Sequence, residues 1–368
     1  MKKIPLLDLK SQYKALKKDI DKAIQYVLER QNFVLGEEVR DLEEKVAHFC
    51  GTKYGVGVNS GTDALILTLK AFGIKENDEV ITTPFTFIAT AEAIVQVGAK
   101  PVFVDIDPVT YNLNPDLIEK KVNKRTKAIL PVHLYGLCAD MDPILRIAKK
   151  YNIKILEDCA QAIGSTYHGK KAGAIGDAGA MSFFPSKNLG GFGDGGMVVT
   201  NSTSIADKIR LLRAHGSKKR YFHDVIGYNS RLDNLQAAIL SVKIGKLKQW
   251  LDARIENAEF FNNVLKQFPL KLPVTPKGLK HTFHLYMVRT PKARDLISFL
   301  TKNGIDSRSY YPVPLHFQKC FRYLGYKRGD FPEAEKAAKT VLNIPIYPEL
   351  TKEDKGYITG KVKHFFLK

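Results

Sequence analysis

The residue in this chain with the clearest capacity for chemistry is a lysine in an unusual setting. Lys187 lies in Ser182-Phe183-Phe184-Pro185-Ser186-Lys187-Asn188-Leu189-Gly190, between an apolar strand and a glycine-rich turn. Lysine ordinarily points into water, so an amine held there invites a function. Upstream, Glu157-Asp158-Cys159-Ala160-Gln161 sets an acidic pair directly after the apolar stretch Ile153–Leu156. A carboxylate at one buried strand end, followed 29 residues later (187 − 158) by a lysine at another, is the order in which a pyridoxal phosphate site is built. The amine forms a Schiff base with that cofactor. The carboxylate keeps the pyridine nitrogen protonated, so that the ring can store carbanion electrons. Asp158 is the better placed of the two acids, because strand alternation turns Glu157 to the opposite face. The plain alternative for Asp158 is a helix cap.

Other segments supply what a phosphorylated aromatic ligand would need. Asn59-Ser60-Gly61-Thr62-Asp63-Ala64 follows a strand and opens a helix, where free backbone N–H groups and the helix dipole favour a phosphate. Thr62 also fits a simple capping role. Ser182, five residues before Lys187, is within reach of the phosphate that Gly61 and Thr62 approach. Gly190-Gly191-Phe192-Gly193-Asp194-Gly195-Gly196 offers a permissive backbone beside a bulky ligand. Phe87, after a strand end, fits either stacking on a ring or core packing. His133, His215, His284 and His316 are scattered without ligand spacing, so no metal is expected.

The elements that must position these residues alternate from about residue 50. Strands are predicted at Tyr54–Val58, Glu79–Thr82, Pro101–Asp105, Lys127–Pro131, Ile153–Leu156, Ala178–Phe183 and Gly196–Thr200. Helices are predicted at Thr62–Phe72, Ala89–Val97, Pro115–Val122 and Ile144–Tyr151. Strands separated by helices imply a mostly parallel sheet covered on both faces, and the unbroken apolar runs agree with double burial. Beyond residue 234 the pattern turns helical, at Leu235–Leu247 and Ile255–Phe268. It then forms a smaller α/β unit with a strand at Leu285–Arg289, a helix at Arg294–Asn303 and the proline-rich Tyr310–Leu315. We divide the chain into an N-terminal arm and large domain, residues 1–249, and a small C-terminal domain, residues 250–368, joined by a long helix around 235–265.

Composition narrows the class. The chain has 368 residues, 44% hydrophobic and 26% charged, ordinary for a globular protein with a substantial core. No apolar run of about 18 residues predicts a membrane span. The basic start Met1-Lys2-Lys3-Ile4-Pro5 lacks the apolar stretch of a signal peptide. Four cysteines, Cys50, Cys138, Cys159 and Cys320, show no CxxC spacing, which points to a reducing cytoplasm. Cys159 is read as a small buried hydrophobe, since no base is evident beside it. The 57 Lys and Arg against 38 Asp and Glu give +19, a charge that a nucleic-acid-binding or regulatory protein could use. The lysines are scattered and no nucleic-acid motif accompanies them. A basic surface around a nucleotide-diphosphate site accounts for the charge more simply, and no nucleic-acid partner is expected.

Taken together, these segments resemble the DegT/DnrJ/EryC1/StrS family of pyridoxal-phosphate sugar aminotransferases, of the aspartate-aminotransferase fold (fold type I). The likeness runs over nearly the whole chain. It includes Phe33-Val34-Leu35-Gly36, Gly61–Leu65, Glu157–Gln161, Ser182–Lys187, Gly227-Tyr228-Asn229-Ser230-Arg231-Leu232-Asp233 and Tyr311-Pro312-Val313-Pro314-Leu315-His316. The resemblance implies that Lys187 carries the cofactor and shuttles the proton, that Asp158 pairs with the pyridinium, and that Gln161 contacts the cofactor hydroxyl. Relatives often carry His at the position of Gln161. It also implies that Phe87 stacks on the ring, that Gly61, Thr62 and Ser182 hold the phosphate, and that Asn229 reaches it from the neighbouring subunit of a homodimer. Some family members replace the lysine by histidine and act as dehydratases; Lys187 is present, so the resemblance implies transamination, by a ping-pong course with glutamate as amino donor. Arg231, Lys219, Tyr311 and His316 are candidates for contacting a nucleotide-linked ketosugar. The 230–233 and 311–335 segments look like those of members acting at C-3, with a dTDP-linked 3-keto-6-deoxyhexose favoured, a UDP-linked 3-keto sugar second and a 4-keto sugar third. Such a product would enter aminosugar biosynthesis for surface glycans, including lipopolysaccharide O-antigen, or other glycosylated products.

Overall fold

The computed structural model describes residues 2–367, so the outermost residue of each expected domain, Met1 and Lys368, lies outside the described residues. Seven strands form the central sheet: β1 (Tyr54–Val58), β2 (Glu79–Thr82), β3 (Lys100–Phe103), β4 (Thr126–Ile129), β5 (Lys154–Asp158), β6 (Ala178–Ser182) and β7 (Gly196–Thr200). Their order is β1-β7-β6-β5-β4-β2-β3. Every neighbouring pair is parallel except those of β7, which runs antiparallel to both β1 and β6. The mostly parallel sheet therefore has the form expected, with one reversed strand inserted between β1 and β6.

Alternation along each strand feeds two cores. Ile81, Ile129, Ile155, Met181 and Val199 face one cluster, completed by Val39 and Leu42 of α2 (Glu37–Cys50), Ile144 of α5 (Met141–Tyr151) and Leu240 and Leu247 of α7 (Asn234–Leu265). Val80, Ala128, Leu156, Ala180 and Val198 face the other, completed by α3 (Gly61–Ala71), α4 (Ala89–Gln96) and α6 (Thr203–Arg213). Helices on both faces are what bury both sides of a parallel sheet. Ahead of the sheet, α1 (Leu9–Arg30) packs Leu16 and Ile20 against Ile239 of α7.

A separate cluster holds the C-terminal part together. It joins Ile4, Ala258, Phe261 and Leu265 to the antiparallel pair β8 (Tyr286–Arg289) and β9 (Val341–Ile344), with α8 (Ala293–Lys302) and α10 (Lys352–Leu367). A further helix, α9 (Pro332–Thr340), is capped by Asp105 of the sheet region, whose carboxylate accepts from the N–H groups of Glu333 and Ala334. One expectation needs correction: the Pro115–Val122 helix is two short 3₁₀ turns, Pro115–Leu117 and Glu119–Lys121, that still bury Ile118 in the core. The helical stretches read at 235–247 and 255–268 belong to one continuous helix of 32 residues, the long connecting helix expected around 235–265, with no glycine or proline between residues 248 and 254 to break it.

Candidate active site

The C-terminal ends of β1, β5 and β6 lie along one edge of the sheet, and the chain elements leaving them build the site. Val58 of β1 and Ser182 of β6 both pair with Gly196, the first residue of β7. A side chain on Gly196 would meet the backbone of Ser60 at 2.3 Å, so only glycine lets the start of α3 approach the sheet so closely. The same crowding brings Gly61 against Ser182: a Cβ on Gly61 would lie 2.7 Å from the Ser182 Cβ. Ser60 caps α3 by accepting from the Asp63 N–H, which leaves the N–H groups of the first turn beside the Ser182 hydroxyl. Gly61 and Ser182, far apart in the chain, are thus brought together at the first turn of α3, which also carries Thr62, a setting whose free N–H groups suit an anion.

Asp158 ends β5 and is buried, 5% exposed. Its Oδ2 accepts from the Thr90 hydroxyl at 2.8 Å and its Oδ1 from the Ala160 N–H at 3.1 Å. Burial pushes its carboxyl above the usual carboxylate range, against the lowering effects of the Thr90 and Ala160 hydrogen bonds and of the Lys187 charge. Lys187 follows β6 in a turn closed by its own N–H to the Phe184 carbonyl and by Gly191 N–H to the Phe183 carbonyl. Its ammonium is pulled down to about 8 by burial, with Asp158 opposing the shift. An amine so placed is partly a free base near neutrality, able to take up or deliver a proton.

Glu157 points the other way, as alternation requires. It accepts from the N–H groups of Gly173, Ile175 and Gly176 and faces His133 Nε2 at 2.8 Å. His133 Nδ1 accepts from Ala139 N–H, which puts the ring proton on Nε2, toward Glu157. His133, Glu157 and Cys159 bring metal-capable atoms within 4.8 Å of one another, yet the imidazole and carboxylate atoms are already occupied by these bonds. Cys159 is buried and its thiol is pushed well up by burial, as a small packed side chain.

The remaining candidates separate into two groups. Gln161 is buried, accepts from the Tyr135 N–H and donates to the Tyr311 hydroxyl at 2.9 Å. The Tyr311 ring also lies 6.1 Å from that of Phe87, so Gln161, Tyr311 and Phe87 are brought together. Phe87 is 57% exposed, with a free face rather than a packed one. Asn229 is exposed, beside Ser230, whose hydroxyl bonds to Asp63 of α3. Arg231 is half-buried, and Lys219 is exposed on a small hairpin. His316 stands apart: it is buried against Phe317 and Phe331, 3.3 Å from Glu335, and shares no hydrogen bond or ring contact with the other candidates. Sequence reasoning passed over Thr90 and Tyr135. The available signal for Thr90 was its place one helical turn after Phe87, on the face turned toward the sheet.

Residues 14–363 match the model of the DegT/DnrJ/EryC1/StrS aminotransferase family. The chain is 49% identical to a protein of Geobacillus stearothermophilus named pleiotropic regulatory protein, over 99% of this chain and 98% of that one. It is 47% identical to a UDP-N-acetyl-3-dehydro-alpha-D-glucosamine 3-aminotransferase of Acidithiobacillus ferrooxidans, over 98% and 97%. It is 42% identical to a dTDP-3-amino-3,4,6-trideoxy-alpha-D-glucose transaminase of Streptomyces venezuelae, over 95% and 92%. Among solved structures, that of S. venezuelae DesV in complex with a ketimine intermediate superposes with a TM-score of 0.98 at 40% identity, over 100% of both chains. The chain belongs to the DegT/DnrJ/EryC1/StrS aminotransferase family, a pyridoxal-phosphate-dependent enzyme of transferase fold type I.

Proposed function

We propose that this enzyme moves the amino group of glutamate to C-3 of a nucleotide-linked 3-keto sugar. The observation that carries the reading is Lys187, its amine pulled down to about 8, in the turn after β6 beside the neighbouring β5 that ends in the buried Asp158, in a chain similar to transaminases of 3-amino sugars. Bound pyridoxal phosphate supplies an electron sink for the carbanion formed at the reacting carbon. Every other duty falls to the protein. Asp158 would face the cofactor's pyridine nitrogen as the carboxylate, Gly61, Thr62 and Ser182 would donate to its phosphate, Phe87 would cover a ring face, and Gln161 would meet the ring hydroxyl. Lys187 Nζ removes the α-proton of glutamate and, in the second half-reaction, delivers a proton to the sugar carbon.

Asn229 in this reading serves the site of a second copy. Tyr221, Phe222 and Ile226, just upstream, are 78%, 62% and 94% exposed, and so many large apolar side chains on one short segment support an interface. Lys219 and Arg231 then meet the diphosphate across it, where Lys and Arg form charge-assisted hydrogen bonds. Tyr311 stands on the sugar side of Gln161. The large and small domains meet within α7, since residues 249 and 250 lie inside that continuous helix. Four free cysteines support a cytoplasmic setting, and among the described residues no helix is long and apolar enough to cross a membrane.

The favoured sugar is a dTDP-linked 3-keto-6-deoxyhexose, supported by the 42% identical transaminase named for a dTDP sugar. A UDP-linked 3-keto sugar is the second reading, supported by the 47% identical aminotransferase named for one. Glutamate assayed against a panel of dTDP- and UDP-linked 3-keto and 4-keto sugars tests both: turnover only of 4-keto sugars, or none at all, overturns the proposal. A protein that neither binds added pyridoxal phosphate nor forms a borohydride-reducible link with it would instead favour a regulatory role.

A further inference from the structure

The turn that opens α4 carries two threonines whose hydroxyls run in file to the carboxylate of Asp158. Thr86 Oγ1 is 3.0 Å from Thr90 Oγ1, and Thr90 Oγ1 is 2.8 Å from Asp158 Oδ2. Both threonines are buried, at 3% and 1% exposure. We propose that Thr86 and Thr90 form a directed hydroxyl relay that holds Asp158 as the anion and fixes which of its lone pairs is left for the pyridine nitrogen, making Thr90 a positioning residue of this aminotransferase. The inference rests on the reading that Asp158 faces that nitrogen.

Proton counting gives the relay its direction. An ionised carboxylate only accepts, so Thr90 must donate to Oδ2, and Thr86 must then donate to Thr90. Every hydroxyl proton is used, and Oδ1 takes the Ala160 N–H. With Asp158 protonated on Oδ2 the file reverses: Thr90 accepts from the acid and donates to Thr86, and the Thr86 proton is left without an acceptor, since its hydroxyl bonds to Thr90 alone among the described residues. A buried donor without a partner is costly, so the relay keeps a proton off Oδ2, and the bonds that Thr90 and Ala160 donate favour the carboxylate against the desolvation that favours the neutral acid. Phe87 sits on the same turn, between the two threonines. One turn therefore offers an exposed aromatic face to the ring and a hydroxyl to the carboxylate at its nitrogen.

The test uses the full-length protein, stripped of cofactor and titrated with pyridoxal phosphate. Thr90→Val is expected to raise the Kd for the cofactor by roughly 10- to 100-fold, the worth of a hydrogen bond to a charged acceptor. With cofactor labelled at the ring nitrogen, the ¹⁵N resonance should move from the protonated toward the unprotonated position at neutral pH. Thr90→Ser should restore both readings, and Thr86→Val should shift both in the same direction by less. An unchanged Kd and ¹⁵N position in Thr90→Val overturns the relay. Should Thr90→Val not fold, wild-type values in Thr86→Val overturn it equally. Asp158→Asn separates the two levels: if it leaves the ¹⁵N position unmoved, the placement of Asp158 at the nitrogen is wrong, whereas a large shift there with none in the threonine variants refutes the relay alone.

Discussion

Replacing Glu157 by Gln is expected to damage the fold and spare the chemistry, whereas replacing its neighbour Asp158 by Asn does the reverse. The Glu157 carboxylate takes four donors: Ile175 and Gly176 N–H on Oε1, Gly173 N–H and His133 Nε2 on Oε2. A glutamine offers one oxygen and one amide nitrogen, so two donors keep an acceptor and two are turned against an NH₂ group. Each buried donor left unsatisfied costs about 1–3 kcal/mol, which sums to about 2–6 kcal/mol. Folded domains hold about 5–15 kcal/mol in all. A fall in Tm on the order of 3–8 °C should result in the cofactor-free protein of 368 residues. Asp158→Asn keeps an acceptor for Thr90 but turns its amide toward the Ala160 N–H, one donor lost against two, and it also removes a buried charge, so its Tm should fall by less than that of Glu157→Gln. Its turnover should drop by about 10²-fold or more, because an electrostatic partner in a buried site is worth several kcal/mol. Calorimetry of the two variants, alongside the rate of the glutamate half-reaction in each, makes the comparison. A wild-type Tm in Glu157→Gln, or undiminished turnover in Asp158→Asn, refutes the assignment of opposite duties to the two acids.

Lys187→Ala should bind cofactor only non-covalently and lose transaminase activity; a borohydride-reducible link surviving in that variant refutes the role of Lys187. In the cofactor-free protein, acylation of the Lys187 amine should accelerate with a midpoint at pH about 8, and Asp158→Asn should lower that midpoint, since the Asp158 charge raises it. The folded pKa lies below the 10.5 of an ordinary lysine, so the unfolded chain binds more protons between those values and stability contributed by this group should rise with pH from about 8 toward 10.5. Arg231→Ala should raise KM for the sugar nucleotide and leave the glutamate half-reaction nearly unchanged; equal damage to both points to a structural role. Mixed dimers of Lys187→Ala and Arg231→Ala subunits should recover one complete site, and mixing that restores no activity refutes the shared site.

Strand ends and the residues just beyond them were readable because their signals are local. An apolar run buried on both faces identifies a strand of a parallel sheet, and the residues just past its C-terminal end lie on the ligand-binding edge. Asp158 and Lys187 were legible on that basis, and the opposite orientation of Glu157 came from alternation alone. Element boundaries shifted by one to three residues. The 115–122 segment, expected as one helix, formed two 3₁₀ turns that pack Leu117, Ile118 and Val122 against the core.

What the chain could not disclose were contacts between distant segments. The Thr90–Asp158 bond spans 68 positions, the Gln161–Tyr311 bond 150 and the Gly36–Asn234 bond 198. His316 illustrates the same limit from the other side: five residues after Tyr311 in the chain, it turns inward toward Glu335 and Phe331. By itself the sequence determined the period of burial and therefore the strands, the edge at which chemistry collects, and the residue types available there. Only the tertiary structure decided which donors meet which acceptors, because a buried carboxylate is defined by the groups that remain after water has been excluded, and those come from wherever the packing of two cores brings the chain back.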